Sequence, residues 1–216
     1  MAHDTLDPAG PPRLPSAQEQ YDARFMDQYS NVLRLYFNRL SNLTSSLISP
    51  TGGQYVDFPN GLFFNTASQT AAAINTGYPI VFNNTYLHNK VDLQSGSTSR
   101  IEVGVNGVYN FQYSGALKST NSSSKTVWIW LVRNGVTIGY TTKVYTIHLN
   151  AQYLPIAWNF NIDMLAGQYL EIYWATSDVN VELTAEAPTA PHPGVPSSVL
   201  TVNYMAPSPD PLPTPP

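Results

Sequence analysis

Any chemistry in this chain would have to come from four histidines, His3, His88, His148 and His192, and from carboxylates at Asp57, Asp92, Asp163, Glu171, Glu182 and Glu186. A zinc site needs such groups to converge on one point, usually from closely spaced positions on one element. The histidines read as scattered singly: His3 and His192 in proline-rich stretches, His88 in a loop, His148 in a strand. No second ligand is read at the second, third or fourth residue after any of them. The carboxylates read as isolated, solvated charges. They form neither the acidic loop of a calcium site nor the facing pair of a glycosidase. Ser198 has no histidine and aspartate at the spacing of a nucleophilic triad. The chain has no cysteine, which removes disulfides, thiol nucleophiles and thiolate metal sites together. No glycine loop suited to phosphate is present. Asn42, Asn83 and Asn121 stand in sequons of the kind that chance supplies in an Asn-, Ser- and Thr-rich chain. The expectation is no catalytic residue, no metal and no cofactor.

What remains is a chain built for packing and contact. Its 216 residues are only 11% charged, against roughly 25% in ordinary soluble domains. The formal net charge of −4 offers no basic surface for nucleic acid. No apolar run is long enough for a membrane helix, and the start shows no basic region followed by an apolar one. Stability is therefore expected from a core and from assembly.

Residues 1–15 are rich in proline and glycine and read as an extended arm. Ser16-Ala17-Gln18-Glu19 has the form of a capping box, so a helix is expected over 16–49, stopped by Ser49-Pro50. Its apolar residues Phe25, Tyr29, Val32, Tyr36, Leu40, Leu43 and Leu47 follow steps of 4, 3, 4, 4, 3 and 4. That eleven-residue repeat gives a nearly straight seam. Leu33, Leu35 and Phe37 add apolar surface beside it. Two readings stay open: a helix packed on its own domain, or a parallel bundle between chains.

From 54 to 205 the period changes from 3.6 to 2. The organising stretch is Gly107 to Gly115, where Tyr109, Phe111 and Tyr113 alternate with Val108, Asn110 and Gln112. The three aromatics share one strand face, which makes this the expected core strand. Gly107 is read as the turn into it and Gly115 as weakening or bending its exit. Further strands are expected at 55–59, 61–64, 78–82, 91–93, 100–103, 126–132, 136–140, 143–149, 154–162, 169–174, 179–185 and 199–204. Asn134-Gly135 is the strongest hairpin signal, and Ser119–Ser124 reads as a polar loop. Short strands at regular spacing predict an all-β antiparallel sandwich or barrel. Residues 206–216 read as a polyproline-type tail.

Three segments carry a resemblance. Gly107–Tyr113 is similar to the Gly-x-Tyr-x-Phe strand of complement globular-head and tumour-necrosis-factor-like domains. Leu131–Gly135 resembles their Leu-x-x-Asn-Gly turn, and Leu165–Ile172 their Leu-x-x-Gly-Asp segment, with Gln168 in place of the aspartate. The run from about Phe58 to Val202 resembles the version of this domain in phage virion proteins, through Gln69–Ala73, Tyr78–Asn83, Ser99–Ile101, Ala157–Phe160 and Pro196–Leu200. The resemblance implies a jelly-roll sandwich that associates as a homotrimer, in a virion assembled in the host cytoplasm. It lacks the closing aromatic-Gly-aromatic strand of the cellular members. Four Trp, fourteen Tyr and eight Phe exceed what one sandwich core holds comfortably, so apolar strand faces are expected to seek a partner. The expected role is a non-enzymatic capsid cement or decoration protein whose two proline-rich ends clamp the major capsid protein or other virion neighbours. The alternative is a tail-fibre tip binding a host glycan, with the Ser119–Ser124 loop as a candidate contact.

Overall fold

The computed structural model describes residues 12–14, 22–48, 58–148 and 153–208. The chain divides into two units, Met1–Asp57 and Phe58–Pro216. Among the described residues the first holds one helix, α1, Ala23–Ile48. Its amino terminus is capped by Asp22, whose carboxylate accepts from the Arg24 amide at 2.9 Å. The Asp22 carbonyl takes the first helical bond, from the Met26 amide. The box at Ser16–Glu19 lies outside the described residues, so the cap that can be seen sits six residues further on. Asp22 escapes the box pattern because Phe25, not Glu or Gln, follows three residues later. Among the described residues no helix is long and apolar enough to cross a membrane.

The second unit is built from strands. In chain order they are β1 (Asn60–Asn65), β2 (Gln69–Thr70), β3 (Tyr78–Pro79), β4 (Asn84–Asn89), β5 (Val91–Leu93), β6 (Ile101–Val103) and β7 (Gly107–Ser119). There follow β8 (Lys125–Arg133), β9 (Val136–Thr137), β10 (Lys143–Ile147), β11 (Tyr153–Met164), β12 (Tyr169–Thr176), β13 (Val181–Leu183) and β14 (Ser198–Ala206).

The pairing is antiparallel and nested, like brackets within brackets. β1 pairs with β14, β6 with β12, β7 with β11 and β8 with β10. One sheet runs β4-β1-β14-β7, with β11 on the far side of β7; the other runs β10-β8-β12-β6-β5. A long antiparallel hairpin wrapped in this way is a jelly roll. The fold is therefore an all-β jelly-roll sandwich preceded by one helix.

β7 is the hub. It carries β11 along one edge and β14 followed by β13 along the other. Tyr109, Phe111 and Tyr113 are buried between the sheets with Phe63, Ile129, Leu131, Trp174 and Val202. Phe111 stacks on Phe160 at 5.3 Å, and Trp158 meets Phe160 at 4.7 Å. Each such side chain contributes about 1.5–3 kcal/mol by leaving water.

Several local expectations change. Gly115 does not bend β7, which continues to Ser119. Glycine stands there because a Cβ would meet the Ser197 carbonyl at 2.8 Å and the Tyr113 hydroxyl at 2.9 Å. Gly107 is likewise a point of close approach, beneath the Tyr204 ring. The strands expected at 78–82 and 136–140 shrink to two residues each. β4 was not foreseen; it is a polar edge strand with no buried side chain, so it shows no alternation. Asn134 and Gly135 both have positive φ, 49° and 79°, as the two-residue hairpin turn requires. The Ser119–Ser124 loop is tied down from beneath. Lys125 is only 1% exposed, and its ammonium donates to the Asn121 and Ser123 carbonyls. The Asn121 amide donates to Asp178 at 2.9 Å. Ala206 closes β14, and the Ser208 hydroxyl donates to the Asp163 carboxylate at 2.6 Å. The rest of the tail, most of the 1–15 arm, and Tyr55–Asp57 lie outside the described residues.

Candidate interaction surfaces

The groups read as potential chemistry are mostly dispersed. Among the described residues no three histidines or carboxylates gather as metal ligands. Two isolated readings are overturned. His88 and Asp92 meet across the turn at Lys90, Nδ1 to Oδ1 at 2.5 Å, and both are well exposed. Asp92 is four residues after His88, and the left-handed Lys90 (φ 54°) folds the two together. Glu171 is not a surface charge: it is 4% exposed, accepts from the Ser99 hydroxyl at 2.6 Å, and has Arg100 Nε at 3.7 Å. The loop carrying Ser99 covers it, which strand alternation cannot reveal.

Glu186 accepts from the Tyr153 hydroxyl. His148 Nδ1 lies 3.4 Å from Ser124 Oγ, and His192 Nδ1 lies 2.8 Å from the Pro193 carbonyl. Ser198 is buried, 3.2 Å from the Tyr113 hydroxyl. Burial pushes the Tyr109 phenol up to about 12 and the Tyr113 phenol upward as well. The Asn180 backbone amide holds the Asp178 carboxyl below its usual range.

Larger surfaces stand out instead. On the outer face of the β4-β1-β14-β7-β11 sheet, strand register aligns five asparagines in one row: Asn89, Asn60, Asn203, Asn110 and Asn161. The next row is Leu87, Leu62, Thr201, Gln112 and Asn159; the third is Asn84, Phe64, Val199, Ser114 and Ala157. None of these fifteen positions holds an ionisable side chain. The amides bind one another. Asn110 Nδ2 donates to Asn159 and Asn161, both at 2.6 Å, and Gln112 donates to Asn110 at 2.9 Å. A depression of about 520 Å³ lies over Gln112, Ser114, Asn159, Val199 and Thr201. The face was missed because its amides are spread over five strands and align only once register is known. β7 sends its aromatics inward and its amides outward, as the alternation of Gly107–Gly115 predicts.

The aromatic wall belongs to the opposite sheet. Trp128 and Trp130 point outward from β8, and Tyr173 of β12 lies beside Trp130 with ring centres 6.0 Å apart. Asn75, Trp128, Trp130, Thr137, Thr142 and Ala175 line a shallow groove of about 530 Å³. Gly77 lets the Trp130 indole lie close, since a Cβ there would meet its ring at 2.8 Å.

On α1, Phe25, Tyr29, Val32, Tyr36 and Leu43 are half-buried and Leu40 is exposed. Phe25 stacks on Tyr29 at 6.4 Å, and Tyr36 meets the exposed Phe37 edge-on at 5.6 Å. No residue from 23 to 44 is buried. The Leu47 side chain lies outside the described residues.

No family model and no curated protein sequence matches the chain. Among solved structures it is similar to the globular domain of zebrafish complement 1qA protein. That likeness is 12% identical, covers 68% of this chain and 97% of the other, and has a TM-score of 0.43. It is also similar to the Eiger TNF of S. frugiperda, 14% identical over 73% of this chain and 99% of the other, with a TM-score of 0.46. The jelly-roll assignment stands on the nested pairing of this chain's own strands.

Proposed function

We propose that this chain is a non-enzymatic structural protein that works as a homotrimer, in the virion of a tailed phage, as a capsid cement or decoration protein. The observation that carries the self-association is the fifteen-position face without an ionisable group. A face left in water ordinarily carries Lys, Glu and Asp, whereas the centres of protein interfaces are depleted of them. Flat rows of mutually bonded amides with Leu62, Phe64, Leu87 and Val199 among them suit a partner surface. Closure with three copies is the expectation carried by the motif resemblance, and it buries the face without leaving an open chain of subunits. The apolar seam of α1, which has no buried residue from 23 to 44, suits a short parallel stalk between copies.

The virion role rests on the motif resemblance together with the low charge and the proline-rich ends. A trimer seated on a threefold site of a shell turns three weak contacts into avidity. Removing residues 1–15 should leave the trimer folded and weaken its binding to shells. Equal binding by the shortened protein would defeat the arm model. The groove lined by Trp128 and Trp130 favours a second reading, a fibre tip that stacks a host sugar. Copy number separates the two: hundreds per particle for cement, a few tens or fewer for a tail part.

A further inference from the structure

We propose that the groove lined by Trp128 and Trp130 holds a neutral oligosaccharide and that Tyr140 closes over it. The inference rests on the sugar reading of this groove and holds for either seat on the particle.

The first argument is the stock of polar groups. The Asn75 amide, the Thr137 and Thr142 hydroxyls and the two indole N–H groups have no hydrogen-bond partner among the described residues. The opposite face differs, since its amides bond one another. Unspent donors and acceptors beside two half-buried indoles suit a ring that is apolar on its face and hydroxylated around its edge. No lining residue is ionisable, so nothing there compensates a charged ligand. Six residues line the groove, against about 20–30 a side in a protein interface. Its volume of about 530 Å³ falls within the roughly 300–1,000 Å³ of small-molecule sites. Both magnitudes favour a small ligand over a protein partner. Trp128 and Trp130 are two residues apart on β8, which sets them about 6.8 Å apart along the strand. Each indole can therefore carry its own ring of one sugar chain.

The second argument is backbone strain. Four of the described non-glycine residues have positive φ: Asn75, Lys90, Asn134 and Tyr140. Asn134 makes the hairpin turn, and Lys90 the turn that joins His88 to Asp92. The other two border this groove. Asn75 lines it at φ 54°, and Tyr140 stands at φ 60° between Thr137 and Thr142, which line it too. Asparagine tolerates this conformation; tyrosine rarely adopts it. Such outliers persist only where neighbours impose them, and they gather at ligand clamps. Here the neighbours are Leu131 and Thr141. The Ile138 amide donates to the Leu131 carbonyl at 2.9 Å. The Thr141 hydroxyl donates to the Ile138 carbonyl at 2.8 Å and accepts from the Leu131 amide at 3.2 Å. Yet Tyr140 is 100% exposed, and a Cβ on Gly139 would meet nothing within 4 Å. A pinned base thus carries an uncovered aromatic at its tip, at most about 7 Å of backbone from Thr142. A ligand lying on the indoles gives that ring the partner it lacks.

The test uses the full chain, with maltohexaose, cellohexaose, chitohexaose and mannohexaose as probes and a heparin hexasaccharide as the charged comparison. At least one neutral probe should bind saturably in calorimetry and move tryptophan emission to shorter wavelength. W128A should abolish that binding while the β-sheet circular dichroism is retained. Asn75→Gly, which accepts the same left-handed backbone, should weaken it independently. Tyr140→Asn keeps the backbone and removes the ring; affinity should fall about tenfold, mainly through faster dissociation, whereas Tyr140→Phe should stay within about twofold of the parent. No binding of any neutral probe removes the sugar reading itself, and this inference with it. Binding that W128A abolishes and Y140N leaves unchanged keeps the sugar site and overturns the closure. Binding indifferent to both W128A and N75G seats the sugar elsewhere and overturns both. Tighter binding of the heparin hexasaccharide through Trp128 overturns the neutral ligand.

Discussion

Thr201 sits at the middle of the charge-free face, in the middle row of three and on the middle strand of five, between Leu62 and Gln112. Replacing it with lysine tests the self-association directly. In a single chain the position is only half-buried, and a lysine stem can lie along the sheet with its ammonium in water. The folded monomer should change by less than about 0.5 kcal/mol. The assembled face is a different setting. Five strands each about 4.8 Å wide and three rows each about 6.8 Å tall cover about 490 Å². That is a little over half of the roughly 800 Å² each partner gives to a standard interface. A lysine at its centre has no carboxylate on any of the fifteen positions to pair with. Dehydrating an unpaired ion costs several kcal/mol; at about 3 kcal/mol per subunit a trimer loses about 9 kcal/mol. The dissociation constant rises about 10⁶-fold, and the midpoint concentration, which varies as its square root, rises about 10³-fold. Light scattering coupled to size exclusion should give about 71 kDa for the parent, from three chains of 23.8 kDa, and one-chain mass for T201K at micromolar concentration. Val179→Lys, on an exposed turn away from the three rows, serves as the control and should stay trimeric. A parent that is monomeric refutes self-association, and an undisturbed T201K trimer refutes this face as its seat.

Three further outcomes follow from other parts of the molecule. Glu171→Ala should destabilise by about 1–3 kcal/mol in urea, because it leaves the buried Ser99 hydroxyl without its carboxylate acceptor, whereas Glu171→Gln should lose under about 1 kcal/mol; equal midpoints for E171A and the parent would remove the buried carboxylate from the account. Gly107→Ala should lower the urea midpoint by the equivalent of about 1–3 kcal/mol, since its methyl would overlap the Tyr204 ring; a Tyr204→Ala background should absorb much of that loss. Alkali should weaken the fold: the Tyr109 phenol titrates near 10 when unfolded and about 12 when folded, so the unfolded chain loses its proton first and stability falls as pH rises from 10 to 12. Melting temperatures taken across that range should fall less steeply for a Tyr109→Phe variant than for the parent, and an unchanged slope would argue against the burial of that phenol.

The sandwich was legible because one physical rule, alternation against a buried face, repeats in Gly107–Ser119, Lys125–Arg133 and Tyr153–Met164. Asn134-Gly135 was legible for a different reason: few residues other than asparagine and glycine accept positive φ in succession. Tertiary cover was not legible. Glu171 sits on the outward side of its strand, and only the loop holding Ser99 makes it interior. Lys125 opens its strand, and its ammonium is consumed by loop carbonyls that no strand pattern announces. The amide rows were hidden for the same reason, since each strand contributes one or two residues and the pattern exists only across neighbours. The helix seam could be read as a period, but a period does not name the partner.

The nested pairing has a consequence for how the chain is made. β1, among the first residues of the sandwich to leave a ribosome, waits for β14, among the last, and β7 keeps an open edge until that same strand arrives. Contacts so remote along the chain are slow to form, and an open edge is a template for mispairing. Closure of the sandwich should therefore wait until β14 has been made, and the nine residues of that strand act as the latch that ends its vulnerability.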